Sequence, residues 1–143
     1  MKRKEFVKNA GILAAATAAA PVHVFSQKKT KQPAAAPNTG VNTVMIGVGL
    51  RGQNHLNLLL RRSDVNVLAI CDIDERMLAE SRKMIEKSGK KMPEVFSGDQ
   101  YAWKKMLELK NIDAVIISTP WEWHKEMIIG SLEADIKYVG TEV

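Results

Sequence analysis

The sequence has 143 residues, 45% of them hydrophobic, which is enough for one domain with a buried core. Seven Lys and Arg residues and a single acid fall within residues 1–31, and the remainder carries 14 bases and 15 acids. The net charge of +5 therefore gives no indication of nucleic-acid binding. A single cysteine excludes an internal disulfide, and the spacing of the three histidines predicts no metal site.

Residues 1–26 have the pattern of an export signal. A basic segment at residues 2–8 precedes a short apolar run, Ala10–Ala20, which is too short to span a bilayer. We predict cleavage after Ser26 and an exported, periplasmic or secreted protein. The basic segment is similar to a twin-arginine signal, R-R-x-F-x-K, with Lys4 in place of the second arginine. An ordinary secretory signal or an uncleaved anchor is the alternative.

Residues 27–40 are rich in Lys, Pro, Ala and Asn and show no periodicity, so they are predicted to be a flexible linker. Residues 41–143 then form the folded part. A β-branched apolar run, Thr43–Val48, predicts the first strand, and a leucine pattern predicts a helix over Gln53–Arg62.

Three glycines join this strand to this helix in the spacing Gly47-x-Gly49-x-x-Gly52. In a dinucleotide-binding turn the first glycine permits the tight turn, the second lets the backbone approach a pyrophosphate, and the third lets the helix pack closely. The unpaired N–H groups at the helix start favour the phosphate anion, with Leu50 and Arg51 supplying backbone contacts. The alternative is an ordinary glycine turn in an α/β domain.

Strands and helices alternate along the rest of the chain. Asp74 is the predicted cap of the second helix, and Asp99 of the third. The predicted elements are a strand at Val65–Cys71, a helix to about Lys87, a strand at Glu94–Phe96, a helix to about Lys110, a strand at Asp113–Ser118, a helix at Trp123–Ala134 and a strand at Ile136–Val139.

This alternation predicts an α/β fold, a Rossmann-type doubly wound parallel sheet of order 3-2-1-4-5. Its ligand crevice should lie at the carboxyl ends of the first and fourth strands. Because four residues follow the last predicted strand, we expect an incomplete domain and a substrate domain that is absent from the sequence.

Asp72 follows the second strand and lies 20 positions after Gly52. A carboxylate there can accept hydrogen bonds from both adenosine ribose hydroxyls and would repel the 2′-phosphate of NADP, so NAD is the predicted cofactor. The alternative role is a helix cap, which Asp74 can fill instead.

The loop after the fourth strand contains Trp121, Glu122, Trp123 and His124. Its position at the carboxyl edge of the sheet makes the tryptophans candidates for lining the nicotinamide or substrate crevice. Alternatively, one or both rings cover the hydrophobic core. His124 could contact a cofactor or hold the loop in place.

Taken together, the glycine turn, the segment Cys71–Asp74, the Thr119-Pro120 loop and Gly140–Glu142 resemble the Gfo/Idh/MocA family of nicotinamide-dependent proteins. Within that family, residues 48–53 and 121–124 and the pair Glu142-Val143 are similar to glycoside hydrolase family 109, whose members are NAD-dependent α-N-acetylgalactosaminidases. The resemblance implies NAD contacts, whose positions are Leu50, Arg51, Asp72, Trp121, Glu122, Trp123, His124, Glu142 and Val143. It places the substrate-binding and proton-transfer residues further along a longer chain.

The implied reaction on an amino-sugar glycoside is redox-assisted: oxidation at C3, elimination, addition of water, and return of the hydride. Two alternatives stay open, a sugar or polyol dehydrogenase of the same fold and a nucleotide-binding module that is inactive alone. The family's dehydrogenases carry Glu-Lys-Pro after the fifth strand, whereas Val143 occupies the lysine position here. Valine has no titratable group, which favours the hydrolase. We expect no nucleic-acid partner, and no membrane-spanning segment once the signal is removed. Whether the protein forms an oligomer stays open.

Overall fold

The computed structural model describes residues 40–142. The predicted export signal (1–26), nearly all of the predicted linker (27–40) and Val143 lie outside the described residues. None of the helices within residues 40–142 is both long enough and apolar enough to cross a bilayer.

A five-stranded parallel sheet has the order β3-β2-β1-β4-β5, which confirms the predicted topology. Its strands are β1 (Val41–Ile46), β2 (Val65–Cys71), β3 (Glu94–Phe96), β4 (Ala114–Ile117) and β5 (Tyr138–Thr141). The first strand pairs with both β2 and β4, so the direction of winding reverses at its carboxyl end.

Four helices connect the strands: α1 (Leu50–Leu60), α2 (Glu75–Ser88), α3 (Ala102–Met106) and α4 (His124–Glu133), the last preceded by a 3-10 turn at Trp121–Trp123. The first helix begins three residues before the predicted start at Gln53, because the N–H of Gln53 already donates to the carbonyl of Gly49, 2.8 Å away. The preceding strand ends at Ile46, since Gly47 adopts a φ of +88°.

Two other predicted boundaries were wrong. The third helix ends at Met106, not near Lys110, because the following residues form tighter turns in which the N–H of Leu109 donates to the carbonyl of Met106. The fifth strand begins at Tyr138 rather than Ile136, because the N–H of Ile136 bonds back to Ser131 and closes the end of α4.

The core forms two apolar layers, one on each face of the sheet. Alternate residues of β1 divide between them, with Val44 and Ile46 on one face and Met45 on the other. The first layer includes Trp103, Met106 and Met127 from α3 and α4, and the second includes Leu56, Leu60, Leu78 and Ile85 from α1 and α2. Helices therefore cover both faces, as a doubly wound sheet requires.

Candidate functional site

A cavity of about 400 Å³ lies at the carboxyl edge of the sheet, where the winding direction reverses. The glycine turn, the ends of β2 and β4 and the loop after β3 all contribute to it. Its lining residues are Ile46, Gly47, Gly49, Cys71, Asp72, Ile73, Met77, Asp99, Gln100, Trp103, Ser118, Thr119, Pro120, Trp123 and Met127.

The three positions of the turn favour glycine for different structural reasons. A Cβ on Gly52 would lie 2.2 Å from the carbonyl oxygen of Gly47, and a Cβ on Gly47 would lie 2.8 Å from the backbone of Ser118. A Cβ on Gly49 would meet nothing within 4 Å, although Gly49 lines the cavity. The protein's own packing thus requires the outer two glycines, while the middle one leaves open space at the start of α1.

Asp72 fastens the end of β2 to the glycine turn. Its Oδ2 accepts the N–H of Val48 at 2.7 Å, and its Oδ1 accepts the N–H of Asp74 at 2.9 Å. An ionised carboxylate offers about four acceptor positions, so positions remain for ribose hydroxyls. The cap of α2 is Asp74, whose carboxylate accepts the N–H of Arg76 and pairs with its guanidinium.

The two tryptophans of the loop after β4 have different environments. Trp121 is 86% exposed, so it does not cover the core. Trp123 is half-buried, packs against the core layer, lines the cavity and meets Tyr101 edge-on with ring centroids 6.0 Å apart. Trp123 therefore both packs against the core and lines the cavity, and its contact with a nicotinamide or substrate stays a prediction.

His124 holds this loop in place. Its Nε2 lies 2.8 Å from the carbonyl oxygen of Thr119, and because that oxygen can only accept, Nε2 carries the proton and donates. Glu122 between the tryptophans is exposed. The imidazole of His124 therefore positions the Thr119–Pro120 segment of the cavity wall.

Arg51 and Glu142, both predicted from the resemblance to contact NAD, contact each other. The Nε of Arg51 donates to Oε1 of Glu142 at 2.7 Å, and His55 Nε2 lies 2.6 Å from Oε2. The guanidinium of Arg51, and after it the imidazole of His55, lower the pKa of Glu142 below its ordinary value. His55 was missed by the sequence reasoning, although its i,i+4 spacing from Arg51 puts both side chains on one face of α1.

The structure brings Gly47, Gly49, Asp72 and Trp123 together around the cavity, with Gly52 directly behind the turn. The predicted contacts Leu50, Arg51, Trp121, Glu122, His124 and Glu142 do not line it. Leu50 is 81% exposed at the start of α1. Contact of these residues with NAD stays a prediction, and Val143 lies outside the described residues.

Several lining residues were not predicted as site residues. Asp99 and Gln100 follow β3, and the rule that ligands bind at the carboxyl ends of parallel strands could have found them. The same rule could have found Ser118, which directly follows β4, whereas Trp103 in α3 gave no such signal. The Oγ of Ser118 and the Nε1 of Trp103 are buried without a hydrogen-bond partner among residues 40–142.

Cys71 lines the cavity but is not suited to nucleophilic chemistry. Burial, and to a lesser degree the charges of Asp72 and Asp99, raise the pKa of its thiol to about 12. Because the thiolate is the reactive form, the thiol is inert near neutral pH. Within the described part of the chain, no group of three or more His, Cys, Asp or Glu side chains could hold a metal ion.

Comparison with protein families matches residues 41–142 to the Gfo/Idh/MocA model, described as an oxidoreductase family with an NAD-binding Rossmann fold. A glycosyl hydrolase family 109 protein of Stenotrophomonas maltophilia is 43% identical over 145 residues, covering 100% of this chain and 30% of the relative. An α-N-acetylgalactosaminidase of Tannerella forsythia is 36% identical over 116 residues, covering 81% of this chain and 25% of the relative.

Among solved structures, a scyllo-inositol dehydrogenase from Lactobacillus casei with bound NAD(H) and scyllo-inositol superposes with a TM-score of 0.58. It is 22% identical, and the match covers 71% of this chain and 27% of that one. At this identity the likeness concerns the fold alone. The chain spans between a quarter and a third of the length of the curated relatives it matches.

Proposed function

Because the chain belongs to the Gfo/Idh/MocA oxidoreductase family, we propose that it is the NAD-binding part of a glycosidase acting on α-N-acetylgalactosaminides. The observation that carries this proposal is the similarity to relatives named glycosyl hydrolase family 109 protein and α-N-acetylgalactosaminidase, at 43% and 36% identity. The cofactor is NAD.

The residues of the glycine turn suit the diphosphate of the cofactor. The open face of Gly49 and the N–H groups at the start of α1 would receive the diphosphate, because the protein gives these groups no side-chain cap. The Asp72 carboxylate would bind the adenosine ribose, and its negative charge would disfavour a 2′-phosphate. When bound, NAD supplies reversible hydride transfer at C3 of the sugar, so no net oxidant is consumed.

The remaining predicted contacts lie in the loop after β4 and the segment after β5. We propose that Trp121, Glu122, Trp123 and His124 contact the nicotinamide or substrate end of the cofactor, and that Glu142 and Val143 also contact NAD. Val143 cannot exchange a proton, so other residues would move the protons at C2 and at the glycosidic oxygen, and the family resemblance places these residues further along a longer chain.

A sugar or polyol dehydrogenase is the second candidate, because the matching family model is described as an oxidoreductase family. Reaction of the full-length protein in heavy water separates the two. We expect cleavage of an α-N-acetylgalactosaminide without added NAD, deuterium at C2 of the released sugar, and no accumulation of NADH. Stoichiometric NADH with an oxidised sugar and an intact glycosidic bond would identify a dehydrogenase instead.

We also propose that the protein is exported. The support is the basic segment at residues 2–8 followed by the apolar run Ala10–Ala20. Cell fractionation and mass spectrometry should find a periplasmic or secreted protein that begins at Gln27. A cytoplasmic protein that keeps residues 1–26 would refute export.

A further inference from the structure

Two side chains one helical turn apart on α1 hold the same carboxylate. Arg51 reaches Oε1 of Glu142 through Nε at 2.7 Å and through Nη2 at 2.6 Å. His55 reaches Oε2 at 2.6 Å. Both carboxylate oxygens are therefore engaged, each by a different residue.

The backbone of Glu142 is held independently. Its N–H donates to the carbonyl of Ile117 at 3.0 Å, which extends the pairing of β5 with β4 by one residue. Since β4 separates β1 from β5, the hydrogen bonds from Arg51 and His55 to Glu142 connect the end of β5 to the helix that follows β1. The carboxylate thus joins the glycine turn to the segment after β5.

The contact with Glu142 shows which ring nitrogen of His55 carries a proton. Because an ionised carboxylate only accepts hydrogen bonds, Nε2 of His55 carries a proton and donates it. The Glu142 carboxylate is 23% exposed, whereas the Arg51 guanidinium is 63% exposed at the start of α1. Without His55, the carboxylate would keep a single partner, and that partner is a long side chain in solvent that loses entropy when it is held.

We propose that His55 is a positioning residue of the cofactor site, which fixes the carboxylate of Glu142 and, through it, the guanidinium of Arg51 beside the diphosphate. With the pair held, binding NAD does not have to order two flexible side chains, so affinity is higher. The inference rests on NAD binding and on Glu142 and Arg51 facing the cofactor. It does not depend on the reaction catalysed.

The test compares His55→Leu and His55→Gln in the full 143-residue chain, with NAD affinity measured by calorimetry. Leucine fills similar space but cannot donate, and we expect it to weaken NAD binding about tenfold. The glutamine amide donates from a similar reach and should restore affinity to within about twofold of wild type. Asn54→Ala, at the exposed neighbouring position of α1, is the matched control and should change nothing.

A double-mutant cycle distinguishes positioning from a general packing role. In a Glu142→Ala background, His55→Leu should cause no further loss of affinity. Equal losses with and without Glu142, or a His55→Gln variant as weak as His55→Leu, would overturn the inference.

A measurement on the unmodified chain keeps the test valid if a variant does not fold. The NMR signals of the Arg51 Nε–H and the His55 ring should shift when NAD is added, and unchanged signals in the presence of bound NAD would overturn the proposal. Failure of the wild-type chain to bind NAD would overturn it together with the cofactor assignment. Absence of glycosidase activity would leave it standing.

Discussion

The carboxylate of Asp72 accepts the backbone N–H of Val48 at 2.7 Å, so the residue predicted to select the cofactor also holds the glycine turn against β2. A change at Asp72 should therefore act on nucleotide binding in two ways. It removes the negative charge that we expect beside the ribose, and it replaces one of the two acceptor oxygens with a donor.

For Asp72→Asn, we expect NAD binding to weaken by about 1.5–3 kcal/mol, the value of hydrogen bonds to a charged group. Binding of NADP should weaken less, because the repulsion of its 2′-phosphate is also removed. Calorimetry with both nucleotides measures the two losses. Glu75→Gln, which removes the same charge on the same segment, serves as the control and should preserve the preference for NAD. Equal losses for NAD and NADP would show that Asp72 does not contact the ribose.

Alanine at Gly49 and at Gly52 should separate binding from stability. A Cβ at Gly52 would lie 2.2 Å from a backbone oxygen, so Gly52→Ala should destabilise the fold by about 1–3 kcal/mol or more. A Cβ at Gly49 meets open space, so Gly49→Ala should leave the free energy of unfolding within about 0.5 kcal/mol. Gly49→Ala should nevertheless weaken NAD binding at least about tenfold. Urea denaturation and calorimetry test the pair, and a Gly49 variant with unchanged affinity would argue against diphosphate binding there.

The packing of α4 on α3 predicts that Gly130→Ala destabilises the native protein but stabilises a variant in which Trp103 is smaller. A Cβ there would lie 2.7 Å from Cζ3 and 2.9 Å from Cη2 of Trp103, so Gly130→Ala should destabilise the domain by about 1–2 kcal/mol despite the better helix propensity of alanine. Phenylalanine lacks the outer ring that carries those two atoms. In a Trp103→Phe background the same change should stabilise by up to about 1 kcal/mol. Thermal or urea unfolding of the four proteins measures this, and additive effects would contradict the contact.

The thiol of Cys71 should make the free energy of unfolding depend on pH in the alkaline range. Burial, followed by the charges of Asp72 and Asp99, raises its pKa from 9.0 to about 12. The unfolded chain therefore loses this proton first as pH rises. The contribution of Cys71 to stability is fully present below about pH 9 and is lost progressively towards pH 12. In urea unfolding measured across this pH range, Cys71→Ala should lack this loss of stability.

A second measurement at Cys71 uses chemical reactivity. Because the sequence contains one cysteine, thiol reagents report on this site alone. At pH 8 the native chain should react far more slowly than the urea-unfolded chain. Equal rates would mean that the thiol is accessible in the fold.

The strands and the glycine turn could be predicted because both depend on short-range patterns, the apolar runs at β1, β2 and β4 and the Gly47–Gly52 spacing. The sheet order then followed from the alternation of strands and helices. The bridge from His55 to Glu142 could not be predicted, because it joins residues 87 positions apart and needs the geometry of two strands and a helix. The early end of α3 was missed for a related reason. Residues 107–110 are good helix formers, yet turns there place Leu107 in the core.

The sequence separations of these contacts suggest an order of assembly. The bond from Val48 to Asp72 closes a loop of 24 positions within one βαβ unit, whereas the Arg51–Glu142 pair spans 91. Because short loops close at a lower entropic cost, we expect the contact of Asp72 with the glycine turn to form early in folding and the Arg51–Glu142 contact to form last. A refolding chain should then acquire affinity for the adenosine half of the cofactor before it acquires affinity for the whole dinucleotide.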